Sequence, residues 1–230
     1  MSEHVRVRRA AGIHTVTLDA AGRRNALTVP MLEAIQVAAC AAANASVLVI
    51  EGAGKTFCAG FDVELMQTHP DAVDELIAAL SMTCRALRRC PATVLADVQG
   101  AAVAGGCALA VSADILLARE GARLGYPVHA LGISPAVTIP VLLPSAGGRA
   151  RSMLMNGRLV DAHSLHDAGV VHHLLPIEGD RGPLVDGLAD RGRNASHITK
   201  AWLNELDDVL NDDRFDGPVT GSRGLRYGQS

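Results

Sequence analysis

The stretch VQGAAVAGGCALAVSADI, Val98 to Ile115, decides how this 230-residue chain is read. Thr93–Val98 leads into it as a predicted strand, closed by Gly100. A small-residue loop and a short helix, Gly105 to Ser112, come next, and a further strand follows over Ile115–Ala118. Glycines at 105 and 106 let backbone N–H groups approach a ligand closely, yet AVAGGCALA carries no acid, base or hydroxyl nucleophile. An earlier segment repeats the plan: the buried-type strand Val47–Ile50 runs into the glycine-containing loop GAGKTFCAGFD, Gly52 to Asp62.

Working outward, Val5–Arg9 and Ile13–Asp19 alternate like paired strands about a turn at Ala10–Gly12. Thr28 is placed to cap a helix with Pro30 in its first turn, running to about Asn44. Pro70 and Asp71 open a helix that continues through Arg89 and stops at Pro91. Gly147–Asn156, Ala162–Ala168 and Ser196–Leu210 read as helices, and Val170–Leu174 as a last strand. GYPVHALGISPAV reads as loop, and the polar, glycine-rich tail after Leu210 as loosely ordered. Strand–helix alternation over this length gives an α/β fold. The division expected is a core over 1–195 and a shortened C-terminal helix with a flexible tail over 196–230.

Composition narrows the function classes. Hydrophobic residues make up 49% of the chain, ample for a core, and the net charge of −3 leaves no electrostatic footprint for nucleic acid. The five cysteines fall in no CxxC pair and read as packed, reduced thiols. The longest apolar run, Ala101–Val111, is about half of what a membrane span needs, and no apolar stretch follows the basic N-terminus. A cytoplasmic protein is the expectation. GAGKT at 52–56 lacks the P-loop's first glycine, because Val49 stands there, and Phe57 breaks a GxGxxG count from Gly52. His163, His166, His172 and His173 have no companion carboxylate or thiol cluster, so surface histidines are expected and no metal. LNELDDVLNDD reads as a solvated acidic face.

Taken together, the two strand–loop segments closely resemble the crotonase superfamily, also called the enoyl-CoA hydratase/isomerase family. The resemblance runs from about Val5 to Leu210. It is carried by RRNALT (23–28), GKTFCAGFD, GAAVAGGCALAVSADI, ARLGYPVHALGISP (122–135) and GRLVDAHSLHDAGVVHHLLP (157–176). It implies a spiral of ββα units, trimers or dimers of trimers, and a coenzyme A thioester as substrate or ligand with no other cofactor. It implies fatty acid metabolism as the setting. It also implies an oxyanion hole made by the backbone N–H groups of Phe61 and Gly105, each donor worth about 2.7–4 kcal/mol. Arg24, Ala26, Leu27, Ala59, Gly60, Asp62 and Gly106 are the implied acyl-CoA contacts. Phe61, where the family more often has alanine, is expected to narrow the acyl channel.

Two departures set the functional expectation. The positions of the family's two catalytic glutamates are Ala108 and Val128, and Ala136 stands where some isomerases place an acid. A positioned general acid or base contributes about 10²–10⁴-fold, so little hydration is expected. His129 is the nearest titratable replacement and reaches the pocket only if its loop is rotated by one residue. Asp62 and Glu64 are further candidates. Asp114 reads as a buried hydrogen-bonded carboxylate, and Ser134 lacks a His–acid pair. The short C-terminus is the other departure, expected to leave the pocket more open and to weaken trimer contacts. The readings left are an acyl-CoA enzyme with displaced groups, a decarboxylase needing only enolate stabilisation, and a non-catalytic acyl-CoA carrier or sensor. Neither nucleic acid nor a membrane span is expected among its partners.

Overall fold

In a computed structural model, the described residues are 2–62, 72–129, 133–208 and 211–224. Strands β1 (Val5–Ala10) and β2 (Ile13–Leu18) form an antiparallel hairpin. Its two-residue turn puts Ala11 at φ +47° and Gly12 at φ +78°. Positive φ at both positions is the turn geometry that matches strand twist. β3 (Val47–Gly52), β4 (Thr93–Val98), β6 (Ile115–Arg119) and β9 (His173–Leu175) then add in parallel, giving the order β1-β2-β3-β4-β6-β9.

Parallel strands covered on both sides must be apolar on both faces, and these are. Val47, Val49, Leu95 and Leu117 face one way, against Val185 and Leu188 of a helix missed in the sequence, α7 (Gly182–Ala189). Leu48, Ile50, Val94, Ala96, Leu116 and Ala118 join the main core on the other face. Polar side chains also pin α7. Arg181 meets Asp97 at 2.6 Å and Glu51 at 2.5 Å, and Arg119 reaches the same Asp97 oxygen at 3.1 Å.

The main core is closed by α1 (Val29–Ala41), α2 (Ala72–Arg89) and α3 (Gly105–Val111). Thr28 holds the N-cap position of α1 but makes no side-chain capping bond, and the helix stops at Ala41, short of Asn44. α2 is amphipathic: Val73, Leu76, Ile77, Leu80, Cys84 and Leu87 face inward. Asp74 and Glu75 in its first turn and Arg88 and Arg89 in its last complement the helix dipole.

A second sheet went unread in the sequence because its strands are only three residues long. β5 (Ala101–Val103), β7 (Arg123–Gly125) and β8 (Leu159–Asp161) pair in the order β5-β7-β8. α4 (Ile139–Ala146), α5 (Gly148–Asn156) and α6 (Ala162–Asp167) complete this side. The last expected strand is shifted, starting at His173 and not at Val170.

α8 (Arg193–Leu206) docks through Lys200, whose ammonium meets Asp114 at 2.6 Å and the carbonyl oxygen of Ala92 at 3.0 Å. Asp114 also accepts the Val94 N–H at 2.7 Å, hydrogen-bonded as expected but only partly buried. The tail expectation is corrected. α9 (Asp213–Gly224) is a helix packed on α2 and on the turn Ala136–Thr138. Phe215 is 1% exposed, its carbonyl oxygen accepts the Ser81 hydroxyl, and Asp212 bridges Arg85 and Arg89 at 2.9 and 2.8 Å. Two apolar anchors four residues apart, Phe215 and Val219, suffice because both fall on one helix face.

Among the described residues, no helix is long and apolar enough to cross a membrane, and no group of three or more His, Cys, Asp or Glu side chains could hold a metal ion. His172 instead accepts the Leu116 N–H through Nδ1 at 2.8 Å, and His166 Nδ1 lies 2.9 Å from the Val171 carbonyl oxygen.

Candidate active site

Four short segments are stitched side by side. Ala59 N–H donates to the carbonyl oxygen of Arg24 at 3.0 Å, and Leu27 N–H to that of Gly60 at 2.7 Å. On the other flank Cys58 N–H donates to Ala101 and Val103 N–H to Cys58, at 3.1 and 2.9 Å. Ala104 N–H continues to Gly125 at 2.8 Å. The RRNALT turn, the FCAGFD loop, β5 and β7 thus form one backbone-bonded unit.

Asn25, wholly buried, holds that unit from one corner. Its side-chain oxygen accepts the Ala20 N–H at 2.9 Å. Its NH₂ donates to Ala53 at 2.9 Å, Thr56 at 2.8 Å and Phe57 at 3.2 Å. Sequence reasoning noted the asparagine only as part of a motif. The signal was its setting: a buried amide between two loops must find partners for its donors and acceptor.

Close approach explains the glycines. Gly60 has φ +88°, and a Cβ there would stand 2.8 Å from the Val103 carbonyl oxygen and 3.6 Å from Gly105 N. The two small-residue loops therefore meet at Gly60 and Gly105. Gly106 packs against Cys58, whose carbonyl oxygen a Cβ would approach to 2.5 Å, so this position serves packing. Ala104, before α3, lies at φ +50°, ψ −110°, a costly conformation for a residue with a Cβ. Its N–H donates to the Gly125 carbonyl oxygen at 2.8 Å and its own carbonyl oxygen accepts the Ala108 N–H at 2.9 Å, which holds it there.

A cavity of about 140 Å³ opens where the loops meet. Ala59, Phe61, Gly105, Ile77, Leu80 and Val128 line it, with Tyr126, Ser134, Val137 and Thr138 completing much of the wall. The Phe61 ring lies beside Gly105, with Cε1 3.3 Å from where a glycine Cβ would stand, and Leu27 and Leu80 crowd the same point. No described lining side chain carries a charge. α9 rests on the Ala136–Thr138 wall, so the expectation of a more open pocket is corrected on that side.

The remaining site candidates separate. Phe61, Gly105 and Ala59 come together at the cavity. Leu27 is fully buried beside Gly105, Ala26 is 8% exposed, and Arg24 is exposed at the turn with φ +54°. Asp62 pairs with Arg23 at 3.1 Å, a structural use of its carboxylate. His129 is corrected: it is exposed, lies against Gly157, and is not among the cavity's lining residues. The reason is that Val128 takes the inward position, 9% exposed, which sends its neighbour outward. Ala108 is fully buried within α3 and does not line the cavity. Glu64 lies outside the described residues.

Burial pushes the thiols of Cys58 and Cys107 up to about 12 and that of Cys84 up to about 11, so all three stay protonated at neutral pH. Only Cys40 is exposed among the cysteines, a departure from uniformly packed thiols.

A spiral α/β scaffold with two small-residue loops meeting over an apolar cavity is the crotonase fold. The chain belongs to the enoyl-CoA hydratase/isomerase family, whose pattern it matches over residues 8–210. It is 33% identical over 166 residues to the putative enoyl-CoA hydratase/isomerase YngF of Bacillus subtilis, spanning 69% of this chain and 64% of that protein. The putative enoyl-CoA hydratase of Thermus thermophilus is 33% identical over 178 residues, spanning 73% and 70%. The match to YngF thus covers slightly less than two thirds of that relative's length. Among solved structures, an enoyl-CoA hydratase from Mycobacterium avium subsp. paratuberculosis superposes with a TM-score of 0.89 at 24% identity, over 99% of this chain and 95% of that one. An enoyl-CoA hydratase/isomerase from Xanthobacter autotrophicus gives 0.87 at 24% identity, over 98% and 88%.

Proposed function

We propose that this chain binds acyl-CoA thioesters in the cavity between its two loops and hydrates enoyl-CoA weakly or not at all. The observation that carries this reading is that Phe61 and Gly105 line one apolar cavity whose described wall offers no charged side chain. In this reading the thioester carbonyl oxygen receives the Phe61 and Gly105 N–H groups, which favour an enolate-like charge on it. The coenzyme lies along Arg24, Ala26, Leu27, Ala59 and Gly60, and the acyl chain enters past Phe61. Among the described lining residues no acid or base stands ready for water activation or proton delivery, and Val128 and Ala108 occupy the two positions that the resemblance gives to glutamates. A decarboxylase of malonyl-type thioesters gains no support from a wall without a described cation for the carboxylate.

Assembly as a homotrimer or a dimer of trimers belongs to the same proposal. α8 exposes Ile198, Trp202 and Leu206, 60%, 61% and 79% accessible and four residues apart, an apolar stripe suited to a neighbouring subunit. Thermal-shift measurements with several acyl-CoAs test the binding, and no shift with any of them refutes it. A crotonyl-CoA absorbance assay tests the chemistry: the rate is expected to fall at least about 10²-fold below that of a two-glutamate hydratase. Robust hydration that disappears in His129→Ala would overturn the reading of the vacant positions.

A further inference from the structure

Away from the candidate site, two cysteines share one cleft. Gln36 and Cys40 stand four residues apart on α1 and so on one helix face. They line a cleft of about 450 Å³ with Met82 and Ala86 of α2 and, just past its end, Cys90. Hydrogen bonds fix how the two helices meet. The Gln36 amide donates to the Thr83 hydroxyl at 3.0 Å, and that hydroxyl reaches the Leu32 carbonyl oxygen at 3.3 Å. Seven residues further along both chains, the Cys90 thiol donates to the Ala39 carbonyl oxygen at 3.4 Å.

That oxygen belongs to the peptide joining Ala39 to Cys40. In a trans peptide the oxygen lies about 2.8 Å from the next Cα. The Cys90 sulfur is therefore within about 6 Å of the Cys40 Cα. The two thiols differ in access. Cys40 is exposed, whereas Cys90 is 3% exposed and burial holds its thiol above the ordinary pKa. An oxidant from solution meets Cys40 first. Cys90 lies one residue beyond α2, so its main chain can move towards Cys40 without unwinding the helix.

We propose that Cys40 and Cys90 form a peroxide-sensitive pair, in which hydrogen peroxide oxidises Cys40 and Cys90 then closes a disulfide between α1 and the end of α2. In the first step the Cys40 sulfur takes one peroxide oxygen, the O–O bond breaks, and water leaves a sulfenic acid. In the second the Cys90 sulfur attacks that sulfur, and the hydroxyl departs with the Cys90 proton as another water. Two electrons pass from the thiol pair to one peroxide. Bridging needs Cα atoms about 4.4–6.8 Å apart, so Cys90 gives up its bond to Ala39 and draws in. α2 also supplies Ile77 and Leu80 to the cavity wall, so the clamp acts on a helix that borders the site. The pair stands whatever the cavity binds.

Thiol titration in denaturant, after the native chain has met hydrogen peroxide and catalase has removed the excess, tests the assignment. The count is expected to fall from five to three, and dithiothreitol to restore five. Cys40→Ser, at an exposed position, is expected to keep all four of its thiols. Peptide mapping without reductant is expected to find the Cys40 and Cys90 peptides joined. In Cys90→Ala, dimedone is expected to trap the sulfenic acid at Cys40, and the lack of an adduct there overturns the order of attack. Survival of all five thiols, a bridge to Cys58, Cys84 or Cys107, a dimer linked through Cys40, or sulfinic acid at Cys40 beside a reduced Cys90 each overturns the pair.

Discussion

The two halves of this molecule are held by different means. Around the candidate site, main-chain hydrogen bonds join residues 24–27, 58–61, 101–104 and 125 into one unit, with a single buried amide at its corner. The C-terminal helices hang on side chains: Lys200 to Asp114, Asn204 to the Arg88 carbonyl oxygen, Asp212 to two arginines, and Phe215 in the core. Backbone bonding ties each residue to its neighbours in space, so the site moves as a body or not at all. Side-chain anchors act singly, and each can release its own helix.

The largest expected effect is on the first half. Asn25→Ala removes a donor and acceptor set that four main-chain groups depend on, and is expected to cost about 3–4 kcal/mol in denaturant unfolding. A loss under about 1 kcal/mol would break the contrast. Lys200→Met comes next, at about 2 kcal/mol, discounted because Asp114 is 23% exposed and keeps its bond from Val94 N–H. Phe215→Ala is expected to free α9 locally: limited proteolysis should cut beyond residue 208 faster, while the global unfolding midpoint shifts by less than about 1 kcal/mol. A full core-type loss would place α9 in the cooperative core and sharpen the boundary differently.

The smallest effect is acid sensitivity at the join of β6 and β9. His172 Nδ1 accepts an N–H and so must be neutral there, and burial of the ring, then His173, lowers its pKa below 6.5. The unfolded chain therefore binds the proton more readily, and stability contributed by this bond is full above about pH 6.5 and falls as the solution is acidified. His172→Asn is expected to flatten the acid limb of a melting-temperature profile modestly, since the residue as a whole is exposed.

How much of this the sequence carried follows from the length of each signal. β3, β4 and β6 announced themselves as apolar runs, and α2 as a periodic helix, because each is long enough for its period to show. β5, β7 and β8 could not, since three residues hold no period and their partners lie far along the chain. α9 contains Gly217, Pro218 and Gly221, a composition that argues against a helix until Phe215 and Val219 are seen to share a buried face. At the site, the meeting of the two loops was implied by their joint resemblance to the crotonase superfamily, since the small residues of either loop alone carry little signal. The outward turn of His129 was not, because it depends on which of two adjacent residues the cavity takes.

A site assembled from main chain has a consequence for how the protein can change over generations. The proposed donors at Phe61 and Gly105 are amides that every residue except proline supplies. A carboxylate that moves protons would be erased by a single substitution, the change that the proposed reading assigns to Ala108 and Val128. Recognition and reaction are thus inherited with unequal durability in this architecture. A lineage that loses its chemistry keeps a receptor, available for reuse.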